Sequence, residues 1–243
     1  MSLRGGRWWL IGLVLLLAMA IPLQASLDAT AAGTPDNLER SGFSPQRSLL
    51  NFLGGVRQFG AYELYIKTDQ IHDTYYGDLA REGELVPYYR IITWLDPHYT
   101  GAYYEAAAII YFQGRADEAI DYAREGVRNN PDSADLHYSL GDLYMAEGRY
   151  EEAIPLFEQA LQEEPHESSP LLTLHALEVA YEKTGRIQEA IAACGEAIQL
   201  LQSYLGQEGL TPEDIQNINA GIQDFMERIE RLSQQASAQA SPT

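Results

Sequence analysis

Cysteine is almost absent from the 243-residue chain, and this excludes several kinds of protein. Cys194 is the single cysteine. One thiol cannot form an intramolecular disulfide, a zinc cluster or a c-type haem attachment site, and position 194 is far from the amino-terminal site where lipoproteins are acylated. Because Cys194 lies in an apolar helical stretch, we expect a small core residue and not a reactive thiol.

The sequence also lacks the usual motifs of catalysis. The five histidines, at positions 72, 98, 137, 166 and 175, form no HExxH motif. No GxSxG element and no phosphate-binding glycine loop is present. His137 is expected to be structural. We therefore expect no catalytic residues, no metal site and no cofactor. A hydrolase that uses the fold as a platform for envelope polymers is kept as an alternative.

Positive charge is scarce. The chain contains 16 lysines and arginines against 35 acids, a formal net charge of −19, while 46% of its residues are hydrophobic. That apolar content is typical of a folded protein, and the acidity disfavours nucleic-acid binding. An acidic surface is explained by solvation alone, or by a basic partner that docks on it. Solvation alone is the simpler explanation.

A 34-residue period dominates the middle of the chain. Four kinds of residue recur at this interval across Thr100–Pro165: Gly114 and Gly148, Ala119 and Ala153, Ile120 and Ile154, and Pro131 and Pro165. Such a period is typical of a helix–turn–helix unit that buries its apolar face by stacking on the next unit. The glycines are expected to end the first helix of each unit, and the prolines to close the second.

The second copy resembles a tetratricopeptide repeat in its small and aromatic positions: His137, Leu140, Gly141, Tyr144, Gly148, Ala153, Phe157, Ala160 and Pro165. The resemblance implies an all-α, right-handed superhelical solenoid of about three and a half repeats. Residues 98–205 hold units at 100–133, 134–167 and 171–204, with three extra residues near His166–Pro170. Residues 46–97 are expected to form a divergent, aromatic-rich helical region with a degenerate first repeat, broken or bent near Gly54–Gly55 and with a helix over 84–97. The aromatic rings fill gaps in that helix pair or form a binding surface.

The first 26 residues are expected to direct export. Arg4 and Arg7 precede Trp8–Leu23, which carries no charge, and this polarity places the following chain outside the cytoplasm. We expect a retained single-pass signal-anchor in a bacterial cytoplasmic membrane. Cleavage after Ala25 would instead give a secreted or periplasmic protein. Residues 53–97 also resemble, weakly, the opening of bacterial single-span repeat proteins, which favours the anchor. Residues 27–45 are a linker by composition.

A further helix is predicted over 211–233. Thr211 and Pro212 form a typical helix start. Apolar residues then recur at steps of three and four: Ile215, Ile218, Ile222, Phe225, Ile229 and Leu232. This stripe caps the last repeat or zips to another chain as a coiled coil, and capping is the simpler explanation. Residues 234–243 are expected to be disordered.

The family resemblance also implies where a partner binds. In tetratricopeptide stacks the first helix of each unit lines the concave face. The groove residues predicted on this basis are Tyr104, Tyr111, Tyr138, Asp142, Met145 and His175. No lysine, arginine or asparagine occupies the groove positions, so the carboxylate clamp of chaperone-binding members is missing. We expect a non-enzymatic adaptor for protein or peptide partners that assembles an envelope complex; alternatively, Tyr104 and Tyr138 only pack between helices. No oligomeric state is predicted.

Overall fold

The computed structural model describes residues 45–75, 77–163, 169–207 and 209–240. The predicted anchor, most of the linker and Pro165 lie outside these ranges. The described ranges form ten α-helices and one short 3₁₀ helix, Gly83–Leu85, without any strand. The α-helices are α1 (Pro45–Tyr75), α2 (Leu79–Glu82), α3 (Val86–Leu95), α4 (Thr100–Phe112), α5 (Ala116–Asn129), α6 (Ala134–Ala146), α7 (Tyr150–Ala160), α8 (Pro170–Lys183), α9 (Ile187–Leu205) and α10 (Pro212–Ala240).

Three helix pairs, α4–α5, α6–α7 and α8–α9, form the repeats predicted from the 34-residue period. Each first helix ends in the same way, at a glycine with φ between +71° and +77°: Gly114, Gly148 and Gly185. The next amide, for example that of Arg149, donates to the carbonyl of Tyr144 at 2.8 Å. This is a Schellman motif, which needs a residue that tolerates positive φ. The glycine prediction is therefore confirmed.

Stacking of the pairs builds a continuous core. Helix α5 packs on α6 and α7 packs on α8, while the first helices also touch each other, α4 with α6 and α6 with α8. Small residues allow close crossings, because a Cβ added to Gly141 would lie 2.8 Å from Cε1 of Phe157. The fully buried Phe157 fills the space that Gly141 leaves open. The solenoid fold is as predicted.

The amino-terminal part of the solenoid differs from the prediction at one point. Helix α1 continues through Gly54 and Gly55 over 31 residues. The two glycines cost helix stability, about 1 kcal/mol each relative to alanine, but do not interrupt the helix. Helix α1 packs on α3, where the Tyr65 and Tyr89 rings lie 6.3 Å apart.

Helix α10 packs on α9 and closes the carboxyl-terminal end, as the capping prediction required. Its start is a capping box, in which the Thr211 amide donates to Asp214 Oδ2 at 2.8 Å and the Asp214 amide donates to Thr211 Oγ1 at 3.1 Å. Leu232 is fully buried. The helix extends to Ala240, so the prediction of disorder from residue 234 was wrong for 234–240; Ala236 packs against the core and holds this last part. None of the described helices is long and apolar enough to cross a membrane.

Candidate partner-binding face

Tyr104 of α4 and Tyr138 of α6 lie side by side on adjacent first helices. Both are half-buried and pack against the core. Burial raises the pKa of Tyr138, and the nearby Asp142 and Tyr104 raise it further. The Tyr138 ring lies 5.8 Å from that of Phe157. Tyr138 therefore stabilises the α6–α7 pair and at the same time presents its hydroxyl edge to the face.

Tyr111 and Asp142 continue this face. The Tyr111 hydroxyl donates to Glu147 at 3.0 Å. Partial burial raises the pKa of Tyr111, as do its bond to Glu147 and the charge of Asp142. The structure thus brings together four of the six predicted groove residues, from two helices. Glu147, which holds the Tyr111 hydroxyl, was not among the residues predicted from the sequence, because it lies in the turn after α6.

Asp142 is the unusual member of the face. Its side chain is accessible to solvent, yet protein surrounds it on the inner side of the stack, and this desolvation raises its pKa. Among the described residues no hydrogen-bond donor or cation pairs with Asp142. An ionised carboxylate without a countercharge in a partly dry position is stabilised by any cation that approaches it. Met145, the next groove residue on α6, is half-buried and packs against the core.

His175 lies apart from this group. It is on α8, where its ring meets that of Phe225 of α10 at 6.3 Å and its Nδ1 lies 3.5 Å from Glu178 Oε2. Glu182 contacts Arg231 farther along, at 2.6 Å. Residue numbers rise together on both helices, so α10 runs parallel to α8 and takes the place of a fourth first helix. His175 therefore belongs to the junction with the capping helix.

Glu178 is the residue that the sequence patterns did not reveal. It follows Gly141 by 37 residues, the interval that separates Gly185 from Gly148, and so occupies the position where the other units hold Gly141 and Ala107. Its side chain is fully buried beside Arg228, at 3.1 Å. Burial opposes ionisation of Glu178, but His175 and Arg228 outweigh it and lower the pKa of the carboxyl. A charged residue at a small-residue position was the only available signal.

Cys194 and a cleft between α3 and α5 are weaker candidates for a functional site. Burial raises the pKa of the Cys194 thiol to about 12, so this cysteine is inert, as expected for a core residue. A cleft of about 590 Å³ lies between α3 and α5, where Arg90 already donates to Glu118 at 2.7 Å and Asp121 already pairs with Arg124. Within the described ranges no three His, Cys, Asp or Glu side chains could hold a metal ion together.

Comparison with sequence models of known families identifies the repeats. Two models of the tetratricopeptide repeat match the chain, one over residues 102–168 and the other over 144–203. Among curated proteins no significant relative was found.

Solved structures of similar proteins include PilF of Pseudomonas aeruginosa, which is 16% identical with a TM-score of 0.51, over 76% of this chain and 79% of that one. MamA of Desulfovibrio magneticus RS-1 is 16% identical with a TM-score of 0.48, over 70% and 95%. YrrB, described as a tetratricopeptide protein with an unusual peptide-binding site, is 17% identical with a TM-score of 0.42, over 66% and 86%. At these identities the likeness to PilF concerns the fold alone, and scores below 0.5 establish no relationship.

Proposed function

Since the chain is a helical repeat protein of the tetratricopeptide type, we propose that it is a non-enzymatic adaptor that binds a segment of a partner protein on the inner face of α4 and α6. The face consists of Tyr104, Tyr111, Tyr138, Asp142 and Met145. The repeats hold these side chains in place before the partner arrives, so most of the ordering cost of binding falls on the partner.

The observation that carries this proposal is Asp142. A carboxylate that is desolvated without a partner costs folding free energy, and binding sites commonly hold such groups. The tyrosines around it offer apolar rings and hydroxyl groups, a composition typical of protein-binding surfaces. The partner segment that fits has apolar side chains for the rings and one lysine or arginine for Asp142. Both an extended strand and a helix can present these groups.

We propose further that this adaptor works on the extracytoplasmic side of a bacterial membrane, tethered by residues 1–26, and helps to assemble an envelope complex. Support comes from the sequence, in which Arg4 and Arg7 precede the uncharged run Trp8–Leu23. The mass of the amino terminus of the mature protein tests the tether, because cleavage after Ala25 would release a soluble adaptor. A fusion at the carboxyl terminus to alkaline phosphatase, which is active only after export, tests the side of the membrane.

Photo-crosslinking in native membranes tests the binding face. A benzophenone amino acid is placed at position 104 and, as a matched control, at position 121 on α5, where Asp121 is 74% exposed on the other side of the pair. We expect a discrete crosslinked partner from position 104 and not from position 121. Asp142→Asn should weaken capture by the probe at position 104, whereas Asp121→Asn should not. Equal capture at both positions, or capture that is indifferent to Asp142, would exclude this face as the binding site.

A further inference from the structure

The outer side of α3 exposes a row of large apolar side chains at successive turns. Tyr88 and Ile91 are each 46% exposed, and Trp94 is 53% exposed. This row forms the amino-terminal end of the solenoid. Exposed rows of this size usually mark an interaction surface.

The repeat period shows that the row is a stacking surface without its neighbour. Tyr122 follows Tyr88 by 34 residues, yet only 3% of it is exposed. Helix α3 covers Tyr122, because Thr93 Oγ1 lies 2.9 Å from its hydroxyl and the Arg90 guanidinium lies 4.9 Å above its ring. No described helix covers Tyr88 in this way. The opposite end of the stack is closed by α10, so within the part of the chain that the structure describes only the amino-terminal end exposes such a row.

Helix α1 adds a second element to the same end. Arg57 Nη2 approaches the carbonyl oxygen of Trp94 at 3.5 Å, and an ideal Cβ on Gly60 would lie 3.9 Å from Leu95 Cδ1. Since α3 ends at Leu95, residues 45–56 of α1 extend beyond it by about 18 Å. Their sequence contains Leu49, Leu50, Phe52, Leu53 and Val56 but no acid.

The charge of the chain distinguishes this end from the rest. Residues 45–97, which include the row, contain seven acids and five bases, whereas residues 98–243 contain 25 acids and eight bases. Bacterial membranes that contain anionic lipid repel an acidic surface and attract a basic one. The amino-terminal end is therefore the part of this protein that can approach such a membrane most easily.

We infer that the outer row of α3 and the first half of α1 lie in the headgroup layer of the membrane, with Tyr88, Ile91 and Trp94 in contact with phospholipid. Tyrosine and tryptophan favour this layer, because each has an apolar ring and a polar atom. This inference rests on the proposed tether. Residues 24–44 connect the apolar run to α1 in the sequence, and 21 residues can reach at most about 75 Å. The tether keeps the end close to lipid, so a weak affinity is sufficient.

Trp94 itself is the probe. The chain has three tryptophans, and Trp8→Phe with Trp9→Phe leaves Trp94 as the only one. This full-length variant is reconstituted into vesicles of phosphatidylcholine with phosphatidylglycerol, prepared with or without brominated acyl chains, which quench nearby tryptophan. We expect the chain to float with the vesicles, and Trp94 emission to shift to the blue and to fall in the brominated lipid.

A matched control places the tryptophan at the far end of α4, away from Trp94. Phe112 is 65% exposed at the end of α4, about 18 Å along that helix from the loop after α3. With Trp94→Phe and Phe112→Trp, the emission should be the same in both lipids.

Three results would overturn the inference. Trp94 emission that is unchanged by brominated lipid, in a chain that floats, refutes the lipid contact while the tether stands. A chain that does not float refutes the tether, and with it the contact. A blue shift of Trp94 that grows with protein concentration in lipid-free detergent would assign the row to a second copy of the chain.

Discussion

Replacing Glu178 by alanine should destabilise the carboxyl-terminal end of the solenoid by about 2–3 kcal/mol. Glu178 is fully buried, and it is one of the groups on α8 that contact the capping helix. Its Oε2 accepts a hydrogen bond from Arg228 Nη1 at 3.1 Å, and Oε1 lies 3.6 Å from Arg231. Both arginines belong to α10, so loss of the carboxylate acts directly on the cap.

The expected loss of unfolding free energy depends on the interactions that the substitution removes and on those that the two arginines keep. A hydrogen bond to a charged group contributes about 1.5–3 kcal/mol, and the one buried methylene that is lost, Cγ, contributes about 0.8 kcal/mol. Against this, the variant no longer buries a carboxylate. A buried charge left alone would cost about 3–5 kcal/mol, but neither arginine is left alone. Arg228 keeps Asp224 at 2.8 Å and Arg231 keeps Glu182 at 2.6 Å. The expected loss of stability is therefore smaller than the cost of an unpaired buried charge.

The repeat pattern alone leads to the opposite expectation. The equivalent positions in the first two units hold Ala107 and Gly141, so alanine at position 178 would restore the family-like residue and should be harmless. The two expectations differ by more than the uncertainty of a urea titration. Helix packing favours alanine, the ion pairs favour glutamate, and the experiment decides between them.

Urea unfolding followed by circular dichroism measures the stability of Glu178→Ala, and amide hydrogen exchange locates the change. Exchange should accelerate in α10 and at its contacts with α9 and α8, and stay unchanged in α4 and α5, because repeats couple mainly to their neighbours. Glu182→Ala is the control; its partly exposed pair with Arg231 should cost less than about 1 kcal/mol. A variant Glu178→Ala as stable as the natural protein, or one destabilised uniformly, would refute this account of the cap.

Three further predictions concern single residues. Gly141→Ala should cost about 1–3 kcal/mol in urea unfolding, since its Cβ would meet a ring at 2.8 Å, whereas Gly195→Ala, with no atom within 4 Å, should stabilise by up to about 1 kcal/mol. Asp142→Asn should stabilise the free protein at pH 7 by no more than about 0.5 kcal/mol, because burial raises the pKa of this accessible carboxyl and so disfavours its charge; urea titrations should show the gain disappearing below about pH 4. The Glu178 carboxylate, 3.5 Å from Nδ1 of His175, raises the pKa of His175. The stabilisation by His175 relative to His175→Asn should therefore be full below about pH 6.5, stay under about 1 kcal/mol and disappear as the pH rises through the raised pKa.

The sequence predicted the repeats because their determinants are local. A glycine with positive φ at the end of each first helix, and a small residue facing a large one within a pair, recur at a fixed interval that can be read without any structure. The capping helix was predictable for the same reason, since Thr211 and Asp214 form its start within four residues. Four groove residues were found together because they depend only on the register of two adjacent units.

His175 and Glu178 could not be placed in this way, because their surroundings depend on a helix about fifty residues away. The interval between α8 and α10 follows no repeat, since α9 is longer than α5 or α7 and α10 begins after a separate loop. His175 occupies a groove position by its repeat register, but α10 lies beside it and takes it out of the groove. Both helices of the α8–α9 pair form despite the three-residue insertion before α8. The sequence therefore gave no sign that His175 would lie outside the groove.

The capping helix also shows why Glu178 stands where the other units have a small residue. An apolar stripe alone, such as Ile222, Phe225 and Ile229, could pack on the last repeat in more than one register. A shift of α10 by one helical turn would place another large apolar side chain at the same contact. Arg228 and Arg231 match Glu178 and Glu182 in only one register. A shift of α10 by one turn in one direction would place Phe225 opposite the buried Glu178, and a shift in the other direction would leave Glu182 without an arginine. Since an unpaired buried charge is far more costly than a poor apolar contact, the ion pairs select one position of α10. The ion pairs therefore contribute to the specificity of the cap as much as to its stability. Glu178→Leu combined with Arg228→Leu should retain the free energy of unfolding. Amide hydrogen exchange in this double variant should reveal more than one register of α10.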